Sequence, residues 1–159
     1  MKLYRLEKSQ KLPITIEEGW AFFSNPENLK IITPDYMGFD IIDSENSRMY
    51  SGQIIKYNVS PILNINMKWV TEISHVKENS FFVDEQRFGP YRFWHHKHIF
   101  KKINGGIEAI DILDYAVPFG FLGRFFHPVL IKPKLEEIFG YRKKTVSYTH
   151  LTLPTIVGV

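Results

Sequence analysis

The chain has 159 residues, 15% of them aromatic and 23% charged, with a formal net charge of +3 and no Cys. This length suffices for one domain with a substantial core, and the missing Cys excludes disulfides, thiolate metal sites and a Cys nucleophile. Lys and Arg are scattered among Glu and Asp, without the clustered stripe of a nucleic-acid-binding protein, so no nucleic-acid partner is expected.

No apolar run approaches the ~20 residues that span a bilayer. Met1-Lys2-Leu3-Tyr4-Arg5 leads directly into charged residues with no apolar signal-peptide segment. A cytoplasmic protein without a membrane span is expected. Thirteen Phe, eight Tyr and three Trp serve equally to fill a core or to line an apolar pocket.

In chain order, the alternation over Leu3–Leu12 predicts a first strand, ended by Pro13. Thr15 is a candidate N-cap, with Glu17 and Glu18 in the first turn, where acidic side chains favour the helix dipole. Trp20, Phe22 and Phe23 give this helix an apolar face as far as Ser24. A second short helix starts at Asn25-Pro26, carries Leu29, Ile31 and Ile32, and stops before Pro34. From Phe39 the period becomes two, predicting strands at Phe39–Ser44, Gly52–Val59, Asn66–Val76, Phe81–Phe88, Tyr91–Lys102 and Ile107–Val117. A final helical segment runs from Phe121 to about Thr145, broken or kinked near Pro128 and Pro133. The order is that of an α+β domain over residues 1–145.

Residues 146–155, Val-Ser-Tyr-Thr-His-Leu-Thr-Leu-Pro-Thr, interrupt this pattern and resemble the translation of a transposon-based sequencing adapter. Residues 146–159 are therefore read as a non-native tail, and no function is assigned to them.

Asn104-Gly105 is a strong hairpin signal, expected to form a type I′ turn. If Ile103 faces Gly106, residue 98 lies opposite 111, 96 opposite 113 and 94 opposite 115. One face of the hairpin then carries Trp94, His96, His98 and Phe100, answered by Ala109, Asp111, Leu113 and Tyr115. Three uses of the imidazoles are open: core histidines with satisfied hydrogen bonds, polar groups that orient a ligand in an apolar cavity, or a catalytic dyad of His98 and Asp111. His95 and His96 point to opposite faces, so a metal site drawn from His95, His96, His98 and His127 is not expected. No phosphate loop, G-x-S-x-G or H-E-x-x-H motif occurs.

The run Phe82-Val83-Asp84-Glu85-Gln86, then Gly89-Pro90-Tyr91, Trp94-x-His96-x-His98-x-Phe100 and Asp111 through Gly120, resembles the bacterial ligand-binding SRPBCC proteins. These are START-like proteins related to polyketide cyclases and dehydrases. Leu12-Pro13, Trp20, Phe22-Phe23-Ser24, Ile32-Thr33-Pro34 and Gly38-Phe39 extend the likeness over about residues 3–145. The resemblance implies a helix-grip fold: a curved seven-stranded antiparallel sheet around a C-terminal helix, with two short helices after the first strand. It also implies binding or carriage of a small hydrophobic molecule such as a lipid, quinone or polyketide, without a cofactor.

Asp84, Gln86, His96, His98 and Asp111 would form the polar end of the pocket, and Tyr57, Trp69, Trp94 and Tyr115 its aromatic wall. Two other functions fit the same pattern. One is a cyclase or hydratase using His98 and Asp111 for proton transfer; the other is a protein-interaction module without a ligand. The ligand and the oligomeric state are not specified by the sequence.

Overall fold

A computed structural model of the protein describes residues 1–44, 48–61 and 63–152. Seven antiparallel strands form a single sheet: β1 (Tyr4–Leu12), β2 (Asp40–Ser44), β3 (Gln53–Val59), β4 (Met67–Lys77), β5 (Phe81–Phe88), β6 (Phe93–Ile103) and β7 (Gly106–Ala116). Their order is β1-β7-β6-β5-β4-β3-β2. All strands but β1 follow one another in a meander, and β1 returns to pair along the whole of β7. Register shifts interrupt β2 against β3 at Ile41/Asp43, and β4 against β5 at two places. An extra residue on one side of a pair bends the strand that carries it.

Between β1 and β2 lie α1 (Ile16–Phe23), α2 (Asn28–Ile31) and a 3₁₀ turn at Asp35–Met37. Thr15 caps α1 as its side-chain type predicts. Its Oγ1 accepts from Glu18 N–H, and the Glu18 carboxylate accepts in return from the Thr15 backbone. Ile16 and Phe23 are buried beneath it.

The β6–β7 hairpin has the expected register: Ile103 pairs with Gly106, His98 with Asp111, His96 with Leu113 and Trp94 with Tyr115. The turn itself differs from expectation. Gly105 takes a left-handed φ of 82°, whereas Asn104 keeps a negative φ, so the two positive angles of type I′ are not formed. Gly lacks the Cβ that makes the left-handed region costly, and here it absorbs the reversal alone.

Beyond β7 the chain forms α3 (Gly120–Phe126), a π-helical segment (His127–Ile131) and α4 (Lys132–Thr152). The break expected at the prolines is this π segment. Pro128 has no N–H and crowds the carbonyl one turn earlier, and the ladder widens until Lys132 N–H reaches His127 O. The last helix continues past Thr145 to Thr152, and Val146 on its inward face is completely buried. Leu135, Phe139, Arg142 and Val146, spaced four, three and four residues apart, bring one side of α4 against the sheet. No helix among the described residues is long and apolar enough to cross a membrane.

Gly106 sits where β7 passes the end of β1, and a Cβ there would lie 2.0 Å from the Leu12 carbonyl oxygen. Gly106→Ala is therefore expected to destabilise the protein by about 1–3 kcal/mol. Gly140→Ala, on the exposed side of α4 with no atom within 4 Å of the new methyl, is expected to stabilise it by up to about 1 kcal/mol. Urea unfolding of the two variants checks both signs.

Candidate functional site

Adjacent strands bring Asp84, His96, His98 and Asp111 onto one face, where alternate residues of β6 meet their partners on β5 and β7. His98 Nε2 stands 2.6 Å from Asp84 Oδ2, and His96 Nε2 stands 2.9 Å from Asp111 Oδ1. The two rings lie 3.8 Å apart. Trp94 donates its indole N–H to the other oxygen of Asp84, at 3.1 Å. From α4, Arg142 reaches down to His98 Nδ1 at 3.2 Å and lies 3.6 Å from Asp111 Oδ1. Phe82 stacks on His98 at 4.1 Å, and Phe139 meets the His96 ring edge to face. Both imidazole side chains are only 5% exposed.

Burial works against every charge in this cluster. For Asp84 it pushes the carboxyl up, but the His96 charge and hydrogen bonds from both imidazoles outweigh it and hold the group well below the usual carboxylate range. Asp111 is held low in the same way, with burial opposed first by Arg142 and then by the two imidazoles. Burial also disfavours the His96 cation, yet the two flanking carboxylates raise its pKa. For His98, burial and the neighbouring His96 charge lower it. The consistent assignment is an imidazolium at His96 and a neutral Nε2–H tautomer at His98, donating to Asp84 and accepting from Arg142. Two carboxylates then face one imidazolium and one guanidinium, and the buried group is neutral as a whole.

The cluster forms one end of a cavity of about 140 Å³ between the sheet and α4. Its other walls are mainly apolar, including Phe23, Ile55, Tyr57, Trp69 and Leu135. Trp69 is 6% exposed, and its indole nitrogen is the only buried side-chain nitrogen or oxygen among the described residues without a hydrogen-bond partner. Such a donor carries an uncompensated desolvation cost of about 1–3 kcal/mol. Tyr57, stacked on Trp69 at 5.9 Å, spends its own hydroxyl on Thr71 Oγ1 at 3.0 Å.

Of the residues the sequence singles out, Tyr57, Trp69, Asp84, Trp94, His96 and His98 line the cavity. Asp111 stands behind the imidazoles, off the wall. Gln86 is not at the polar end. Its side chain bonds both the N–H and the carbonyl of Tyr91, at 3.1 and 2.6 Å, and so holds the Gly89-Pro90 turn. Tyr115 is also away from the wall. Its hydroxyl, pushed up to about 12 by burial, pairs with His127 Nε2 at 2.7 Å, and its ring stacks on Tyr4. The expected His98–Asp111 pairing is present as cross-strand neighbours, but the short bond from His98 goes to Asp84. As arranged, both nitrogens of His98 are engaged by protein groups, and neither offers a free lone pair to a substrate. Sequence reasoning passed over Arg142, although its place three residues after Phe139 and seven after Leu135 puts it on the inward stripe.

No protein-family profile matches the chain, and no curated protein sequence does. Among solved structures it is similar to a protein from Thermus thermophilus, at 12% identity and a TM-score of 0.70 over 96% of this chain and 100% of that one. A Chromobacterium violaceum protein aligns at 10% identity and a TM-score of 0.68 over 91% and 95%. The ginseng major latex-like protein 151 from Panax ginseng aligns at 12% identity and a TM-score of 0.65 over 94% and 98%. At these identities the likeness establishes the fold, which is the START-like helix grip.

Asp84→Ala leaves two imidazoles and the Trp94 indole facing a missing carboxylate. It is expected to destabilise the protein by about 3–5 kcal/mol, as removal of one partner from a buried ionic group does. Replacing Asp84, His96 and His98 together by apolar residues of matched size should recover much of that loss, and chemical denaturation of the two proteins measures the difference.

Proposed function

We propose that this protein binds a small, mainly apolar molecule with a polar end, in the cavity between the sheet and α4, and does not itself transform it. The observation that carries this reading is a mainly apolar cavity whose wall contains Trp69, a residue with a buried and unpartnered indole N–H, together with Asp84, His96 and His98. A donor left unsatisfied in a folded protein gains most from a ligand that brings an acceptor, since the desolvation cost has already been met on folding. The resemblance to ligand-binding SRPBCC proteins supports the same reading.

Cavity size narrows the class. An apolar cavity of ~150 Å³ admits benzene, so a volume of about 140 Å³ suits a single ring better than fused rings or an extended acyl chain. A quinone or a cyclised polyketide fragment meets both requirements: a flat apolar body and ring oxygens for Trp69 and the imidazole end. Affinity would come mainly from buried apolar area, roughly 25 cal/mol per Å² before ordering losses, and the polar groups would set orientation.

Methyl-1,4-benzoquinone, a single-ring quinone, is a suitable probe because quenching of the cavity tryptophans reports its binding. Saturable binding by the wild type is expected, with roughly a 2- to 10-fold loss in Trp69→Phe, the worth of one neutral hydrogen bond. Val59→Phe, which fills the cavity from β3, should abolish binding while leaving the melting temperature equal or higher. If the wild type binds neither methyl-1,4-benzoquinone nor any other ring-sized apolar probe, or if Val59→Phe binds as well as the wild type, the cavity is not the binding site.

A further inference from the structure

We propose that Asp84, His96 and His98 form a site for one divalent first-row transition ion of the zinc or ferrous kind, at the polar end of the cavity. One carboxylate oxygen and one nitrogen from each ring lie within 4.8 Å of one another. Asp84 Oδ2 is 2.6 Å from His98 Nε2 and 3.4 Å from His96 Nδ1. Ligand atoms bound at 2.0–2.2 Å to a shared ion stand roughly 3 to 3.4 Å apart, so the Asp84–His98 pair has to open by less than about 1 Å, and the two ring nitrogens, within 4.8 Å of each other, have to draw together by up to about 1.5 Å.

The surroundings are those that metal ligands require. A ligating imidazole ordinarily gives its second N–H to a carboxylate, and a ligating carboxylate is itself hydrogen-bonded. Here the remaining nitrogens of both rings approach one atom, Asp111 Oδ1, at 2.9 Å from His96 Nε2 and 3.2 Å from His98 Nδ1. Asp84 gives its outer oxygen to the Trp94 indole and keeps Oδ2 for the shared point. The three ligands line the cavity while Asp111 does not, so the supporting carboxylate lies behind and an open coordination position faces the cavity. His95 and His127, the other histidines considered from sequence, are placed elsewhere. Asp84 supplies the third ligand in their stead.

Two imidazoles and one carboxylate favour zinc or ferrous iron over magnesium or calcium, which select all-oxygen sets. Both imidazoles would bind as neutral ligands through His96 Nδ1 and His98 Nε2, with the His98 proton carried on Nδ1 toward Asp111 and Arg142 turned from that nitrogen to Asp111 Oδ1, 3.6 Å away. With Asp84, Asp111 and Arg142 in place, the site then carries one net positive charge. A hydroxide, or an anionic oxygen of a cavity ligand such as a phenolate, enolate or carboxylate, would neutralise it on the open position.

The test uses the whole chain, stripped with a chelator and titrated with Zn(II) by calorimetry and with Co(II) by visible absorption. One equivalent of each is expected to bind, with ligand-field bands for Co(II) and no comparable uptake of Mg(II). Asp111→Asn, which keeps the shape and removes the supporting charge, should weaken Zn(II) binding 10- to 100-fold, and His98→Gln should abolish the stoichiometric site. Absence of saturable one-equivalent uptake by the wild type overturns the proposal, as does uptake that neither substitution alters, which would place the ion on surface histidines. Methyl-1,4-benzoquinone binding by a protein that takes up no ion overturns this inference alone and leaves the proposed binding function standing.

Discussion

The structure depends on burying five ionisable side chains at the place where α4 closes on the sheet. Charges moved out of water are tolerated only when each is paired and hydrogen-bonded. Asp84 on β5, His96 and His98 on β6, Asp111 on β7 and Arg142 on α4 satisfy that condition only together. A displacement of α4 along its axis would strip Arg142 from Asp111 and leave the sheet with unbalanced carboxylates. The cluster thus fixes where the helix sits, and the helix in turn roofs the cavity with Leu135, Ile138 and Phe139. Stability and site geometry are set by the same contacts.

This arrangement explains why the cavity is asymmetric. At one end the walls carry charge that is locally neutral, and further along they carry Met37, Phe39 and Val59 around Trp69. The Trp69 N–H has no partner there, although the neighbouring Tyr57 hydroxyl is committed to Thr71. A sequence under selection for stability alone gains by filling such a space or satisfying such a donor. Local violations of packing and pairing rules of this kind are expected at functional positions.

The parts of the fold legible in the sequence were those governed by short-range rules. The Thr15 cap, the interruption at Pro128 and the β6–β7 register each follow from a few adjacent residues, and the register alone placed His98 opposite Asp111. What was not legible depended on contacts between elements distant in sequence. Whether Asp84 or Asp111 takes the short bond from His98 is decided by side-chain reach across two strand pairs, not by the hairpin alone. Gln86 has the right residue type for a binding site, but Gly89-Pro90 exposes two backbone groups of Tyr91, and the nearby amide is consumed by them. Tyr115 faces inward as its register requires, yet lies under the π segment against His127. Arg142 was hidden by its charge, since a helical period that counts only apolar residues skips an inward-facing arginine.

The central claim is that the space beside Trp69 is a binding cavity and its indole N–H a waiting donor. The most direct measurement is the ¹⁵N-resolved NMR spectrum of the three tryptophan indoles, recorded while methyl-1,4-benzoquinone is added. The account predicts that the Trp69 indole resonance moves downfield and saturates, while that of Trp20, on α1 and off the cavity wall, stays in place. An unmoved Trp69 signal at saturating methyl-1,4-benzoquinone, or uniform drift of all three, would contradict it.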